Sequence, residues 1–212
     1  LFFKFINNNL IHQISIDYKN VNKTFDLESN DASFFFDVFE LDPNLKAGYL
    51  NIKGTEKDDS FNGKIILSDF IAYDTPFLTK ILTFFSLEGL EQKVKGGGIY
   101  FKNLSSDYES SENKVVLSNG LIRGSDLGLT FDGDLNIKTK DFLVEGTLIP
   151  AYTLNTLLTK VPIVGDIITA GSPEEGVLAA TFSIENKNDE IDLSFNPISV
   201  LVPSILRNFL DF

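Results

Sequence analysis

The strongest pattern along the chain is an alternation of apolar and polar positions. Leu127, Leu129, Phe131, Gly133, Leu135 and Ile137 are separated by Gly128, Thr130, Asp132, Asp134, Asn136 and Lys138. Successive side chains of an extended strand point to opposite sides, so a period of two collects the first set on one face. The run predicts one long strand, or a hairpin turning near Asp132-Gly133, with an apolar face and a wet one. The same alternation returns at Phe142, Val144, Gly146 and Leu148, at Leu178, Ala180, Phe182 and Ile184, and at Ile191, Leu193 and Phe195. Weaker versions run through Ile14, Ile16 and Tyr18, through Phe25 and Leu27, Leu50 and Ile52, Ile65 to Ile71, Ile99 and Phe101, and Val115 to Leu117. Asn62-Gly63, Asn119-Gly120 and Asn186 to Asp189 supply turn residues between them, as antiparallel meanders require. The expected fold is mainly β with minor α, an antiparallel sheet buried on one side.

Three or four short helices are expected to interrupt the strands. Asp31 to Leu41 is short and rich in Phe. Thr75-Pro76 offers a cap and a first-turn proline ahead of Phe77, Leu78, Ile81, Leu82 and Phe85, which form one broad apolar stripe. Tyr152 to Leu158 and Ile163 to Ile168 read as a helical unit broken at Pro162. Near the C-terminus Leu201, Ile205 and Phe209 lie beside Val202, Leu206 and Leu210 in two adjacent rows of an amphipathic helix.

Composition narrows the function classes. With 212 residues and 43% hydrophobic content the chain can build one sizeable core. Eighteen Lys and Arg stand against 30 Asp and Glu, a net charge of −12 that repels phosphate backbones, so no nucleic-acid partner is expected. The absence of cysteine removes disulfides, thiolate metal sites and cysteine nucleophiles. Apolar stretches are interrupted well short of the ~20 residues a spanning helix needs. The start, Leu1 to Ile6, has no basic leader and runs into Asn7-Asn8-Asn9. Together with the lack of methionine, this start is read as that of a segment excised from a longer protein.

Signals of chemistry are sparse. His12 is the single histidine, and without a second one or a cysteine it is read as an ordinary strand residue. Gly96-Gly97-Gly98 is followed by Ile99-Tyr100-Phe101 rather than by Lys-Ser/Thr opening a helix, so a helix-to-strand joint is expected and not a phosphate loop. Asp132-Gly133-Asp134 lacks the spacing of a calcium loop. Asp58-Asp59, Glu109, Glu112, Glu174-Glu175 and Asp189-Glu190 sit in expected loops without an acid/base partner and are read as solvated. A non-enzymatic chain with no cofactor and no metal is expected. The 20 phenylalanines, seven of them at 34–36, 39, 77, 84 and 85, read first as the core of helices laid over a sheet, the sharper alternative being a partly covered face whose remainder holds acyl chains.

The segment from Ile149 to Gly171, IPAYTLNTLLTKVPIVGDIITAG, resembles the signature of the AsmA-like C-terminal region found in YhdP-type bacterial envelope proteins of the AsmA/TamB-like, bridge-like lipid transport group. Gly176 to Phe182 and Phe195 to Phe209 are similar to that family's ending in order and spacing, and Asn30 to Ser33, Gly63 to Phe70 and Phe131 to Ile137 also fit. The resemblance covers roughly 25–212; Ser172-Pro173-Glu174-Glu175 departs from it, standing where the family has more glycine.

The resemblance implies a parent protein anchored in the inner membrane of a Gram-negative bacterium, with a periplasmic β-groove that moves phospholipids between the two membranes. On it, residues 1–24 are strands of the preceding groove segment and 25–212 an AsmA-like C-terminal domain closing the groove. The lipid-facing residues it implies are Leu127, Leu129, Phe131, Leu135, Ile137, Val144, Leu148, Leu178, Phe182 and Ile184. Leu201, Ile205, Leu206, Phe209 and Leu210 then form the helix that contacts a membrane or partner. The expected partners are phospholipid acyl chains, the rest of the longer chain and an outer-membrane or periplasmic protein. The alternative is a docking domain that supports the outer-membrane barrier without binding lipid.

Overall fold

The computed structural model describes residues 2–7, 10–19, 22–34, 44–57, 60–73, 79–80, 83, 96–150, 179–188 and 190–198. Its strands are β1 (Phe2–Asn7), β2 (Leu10–Lys19), β3 (Asn22–Ser29), β4 (Leu45–Lys57), β5 (Ser60–Ala72), β6 (Ile99–Ser111), β7 (Lys114–Gly124), β8 (Leu127–Asn136), β9 (Phe142–Pro150), β10 (Ala179–Lys187) and β11 (Glu190–Ile198). They form one open antiparallel sheet whose spatial order is the order of the sequence, from β1 at one edge to β11 at the other. At a spacing of about 4.8 Å per strand the sheet is about 48 Å across.

Register turns the alternation into a surface. Ser29, Leu50, Leu67, Leu104, Ile122, Leu129, Leu148 and Ala180 are successive cross-strand partners and therefore share a face. A second row on that face runs through Leu27, Ile52, Ile65 and Ser106 and, beyond an irregularity in β7, through Gly120, Phe131, Gly146, Phe182 and Phe195. The reverse face carries Thr24, Asp26 and Glu28 of β3, Asn51 and Lys53 of β4, and Thr130, Asp132 and Asp134 of β8. One face is predominantly apolar and the other predominantly polar, but near the long-connection end of β9 and β10 the reverse face is buried as well: Thr147, Ile149 and Ala179, which alternate with Leu148 and Ala180, are at most 6% exposed.

The two ends of the sheet differ. Lys57 pairs with Ser60, Ser111 with Lys114 and Lys187 with Glu190, so the connections at one end are short; the short β1–β2 and β7–β8 connections lie at the other. The long connections 30–44, 73–98 and 151–178 also leave from this second end, where Leu45 pairs with Ala72 and Leu127 with Pro150. Burial follows the same division. Phe70, Ala72, Ile99, Phe101 and Leu127, all at the end of the long connections, are between 0% and 4% exposed. Ala32 belongs to this core, Phe34 packs against it, and the Ala32 amide donates to the Gly48 carbonyl at 2.8 Å. Phe70 and Phe101 stack here with ring centroids 5.2 Å apart.

Asp132-Gly133 is no turn: β8 runs straight through it. Asn62-Gly63 and Asn119-Gly120 likewise lie inside β5 and β7 rather than between strands. Gly63 opposes Gly54, and a Cβ on it would stand 2.7 Å from the Gly54 Cα, so the glycine serves close strand approach. Asn119 takes a φ of 53° at the β7 irregularity; its amide donates to Asp132 and its side chain to Asp107, both at 2.9 Å. β10 is joined to β11 within the expected stretch, with Asn186 and Lys187 still paired in β10 and Asn188 in the turn. Of the expected helices, Ser33, Phe34, Thr79, Lys80 and Thr83 are helical, Asp31 and Ala32 are described but not helical, and the remainder of those segments lies outside the described residues. Gly96 to Gly98 leads from a helical turn into β6 as a joint.

Candidate functional site: the apolar face of the sheet

The residues expected to face lipid converge on the apolar face. Leu127, Leu129, Leu148 and Phe182 are buried there, and Phe131, Leu135, Val144 and Ile184 are half-buried toward the hairpin end. Ile137 falls in the turn after β8 and is 50% exposed. Leu178 and the helix residues Leu201, Ile205, Leu206, Phe209 and Leu210 lie outside the described residues.

The half-buried zone is larger than the alternation suggests. A third row joins Phe25, Gly54, Gly63, Tyr108, Leu117, Gly133, Val144, Ile184 and Leu193 across nine strands. Beyond it Phe61, Val115, Leu135 and Phe142 continue the face, ending at Ile191, which is 68% exposed. Val144 and Ile184 of this row were expected to face lipid; Tyr108 was not legible as part of the site, because β6 places serines at apolar-face positions. Leu104, Ser106, Tyr108 and Ser110 alternate with Ser105, Asp107 and Glu109, and the serines hide the period. Ser106 is 1% exposed, and its hydroxyl donates to the carbonyls of Asp107 and Ser118 at 2.9 and 3.0 Å.

The polar face largely neutralises itself. Lys53 meets Asp26 at 3.2 Å, Lys64 meets Asp107 at 3.7 Å and Lys114 meets Asp134 at 3.5 Å. Asn51, 7% exposed, donates to Asp26 at 2.8 Å. The Asp26 carboxylate raises the Lys53 pKa by a hydrogen bond and by its charge. Burial, and then the neighbouring Glu28 carboxylate, raises the Tyr49 phenol. A cleft of about 540 Å³ between β2 and β6 is lined by Asp26, Lys53, Lys64 and Asp107, the members of two of these pairs. Among the described residues no group of three His, Cys, Asp or Glu is placed to hold a metal ion, and no helix is long and apolar enough to cross a membrane. His12 lies in β2 opposite Phe5 and Ser29.

Comparison with protein-family models, curated proteins and solved structures finds no match to this chain. What the geometry defines is an open, sequential antiparallel sheet with one continuous apolar face.

Proposed function

We propose that this chain is the C-terminal part of an AsmA-like envelope protein and that its apolar face receives phospholipid acyl chains on their way between the inner and outer membranes. The observation that carries the reading is the apolar face itself, continuous across the strands and only half-buried toward the hairpin end. An acyl chain of ~16 carbons costs about 0.8 kcal/mol per CH₂, or ~12 kcal/mol, to expose to water. A chain lying across the rows of Leu117, Leu135, Val144 and Ile184 avoids most of that cost while its headgroup stays wet. No covalent step is needed, and the protein acts as a conduit rather than an enzyme.

In this reading the expected helices of 31–41, 75–85 and 152–168 close the groove at the end from which the long connections leave. The protein then lies in the periplasm of a Gram-negative bacterium, continuous with a parent anchored in the inner membrane. The rows of Leu201 and Leu206 meet the outer membrane or a protein partner. The docking alternative draws on Ile99, Leu127 and Leu148, which are at most 1% exposed and behave as core.

Native mass spectrometry with lipid extraction, on protein purified from a Gram-negative bacterium, separates the two. Wild type is expected to carry phospholipid, and a folded Val144→Asp/Ile184→Asp variant is expected to lose it. A wild type that is free of lipid overturns the conduit reading and leaves docking.

A further inference from the structure

Tyr108 stands in the third row, between Gly63 and Leu117. It is 8% exposed, and its hydroxyl is buried with no hydrogen-bond partner among the described residues. That hydroxyl rests against Gly54, and the Phe25 ring lies beside it with its centroid 6.4 Å from the Tyr108 ring. Other buried hydroxyls on this face are satisfied by the main chain: Ser29 donates to Asp31 at 2.7 Å, and Ser106 to two carbonyls. A buried hydroxyl without a partner is destabilising, so its retention here asks for a reason outside the fold.

We propose that Tyr108 is the polar contact of a lipid subsite, its hydroxyl donating a hydrogen bond to the ester carbonyl oxygen of an acyl chain lying along the half-buried rows. This inference rests on the conduit reading and names a position within it. The hydroxyl can act as donor because a phenol is protonated at neutral pH, and burial, which pushes its pKa up to about 12, keeps it so. An ester suits the place better than a free carboxylate, since a buried carboxylate needs a cation. On this face Lys23 is already held by Glu56 at 2.7 Å. Phe25, Phe61 and Leu117 supply the apolar wall. Phe25, half-buried beside the hydroxyl, is the side chain that has to turn aside to admit the ligand.

The test compares methyl palmitate with octadecane, saturated chains of equal length that differ in the ester, by displacement of a bound fluorescent hydrocarbon from the whole chain. Wild type is expected to favour methyl palmitate by about fivefold, the effect of one neutral hydrogen bond. Tyr108→Phe, folded by circular dichroism, is expected to bring that ratio to about one while octadecane binds as before. A ratio unchanged in Tyr108→Phe, or a wild type that binds both probes equally, overturns the subsite alone. A wild type that binds neither probe overturns the conduit reading with it.

Discussion

The ring of Phe182 lies over Gly146, its partner on the neighbouring strand, so closely that a Cβ on the glycine would stand 2.7 Å from the Phe182 Cζ and closer still to the Thr130 carbonyl oxygen. The glycine leaves a gap in β9 that the ring from β10 fills, and the apolar face stays continuous. Gly146→Ala is therefore expected to force apart β8, β9 and β10 and to cost about 2–4 kcal/mol, in the range of overpacked cores. Urea unfolding measures it. Glu145→Ala, one position away on the exposed polar side, is expected to stay within about 0.5 kcal/mol of wild type. Equal losses at the two positions would show that the ring does not define the packing.

The same face is expected to respond differently at its two ends. Leu148 is 1% exposed, so Leu148→Ala removes buried methyl groups and leaves a cavity, at about 2–5 kcal/mol. Ile191 is 68% exposed on the edge strand β11, and Ile191→Ser is expected to change stability by less than about 0.5 kcal/mol. Thermal unfolding of both variants reads the gradient of burial along the strands. A large loss at Ile191 would mean that the hairpin end is covered in solution.

This division explains what the sequence shows and what it conceals. Leu127 to Leu135 announces β8 because every second residue is apolar and the rest are polar or glycine, so local pattern and tertiary burial agree. Asn62-Gly63 and Asn119-Gly120 mislead because the dipeptide that favours a hairpin turn also suits other sites. Gly63 is needed for close approach to Gly54, and Asn119 for an irregularity with positive φ. Neither demand is visible without the neighbouring strand. The middle of the third row is hidden for a related reason: Gly54, Gly63 and Tyr108 stand where a periodic reading looks for aliphatic residues, although Val144 and Ile184 of the same row are legible.

Alkaline pH should weaken the fold through its phenols. Burial raises the Tyr108 pKa to about 12 from the ordinary phenol value of 10.0, so between those values the unfolded state has released a proton that the folded state keeps. Unfolding then becomes easier as pH rises from 10 toward 12. Tyr49, raised by burial and Glu28, and Tyr100, raised by its hydrogen bond to Asp69, act in the same direction. Tyr108→Phe is expected to be about 1 kcal/mol more stable than wild type at pH 7, because it removes an unpaired hydroxyl. Its stability should also fall less steeply above pH 10. Parallel curves for the two proteins would mean that Tyr108 ionises freely.

Asp141 ties two hairpin turns together at the far end of the sheet. One carboxylate oxygen accepts from the Thr139 hydroxyl at 2.7 Å, and the other from the Asn188 amide at 3.0 Å, which links the β8–β9 turn to the β10–β11 turn. Those two hydrogen bonds, the one from Thr139 first, lower the carboxyl pKa below the ordinary aspartate value. A depressed folded pKa means that this stabilisation is complete above the unfolded pKa and fades as pH falls through the folded one. Acidification below about pH 4 is therefore expected to loosen the two turns locally. Hydrogen exchange at the Asn188 amide checks it: protection should decline as the carboxylate is protonated, and Asp141→Ala should abolish protection at neutral pH while leaving the Leu129 amide, in the middle of β8, unchanged. If Asn188 stays protected in Asp141→Ala, the turns are held by the strands alone.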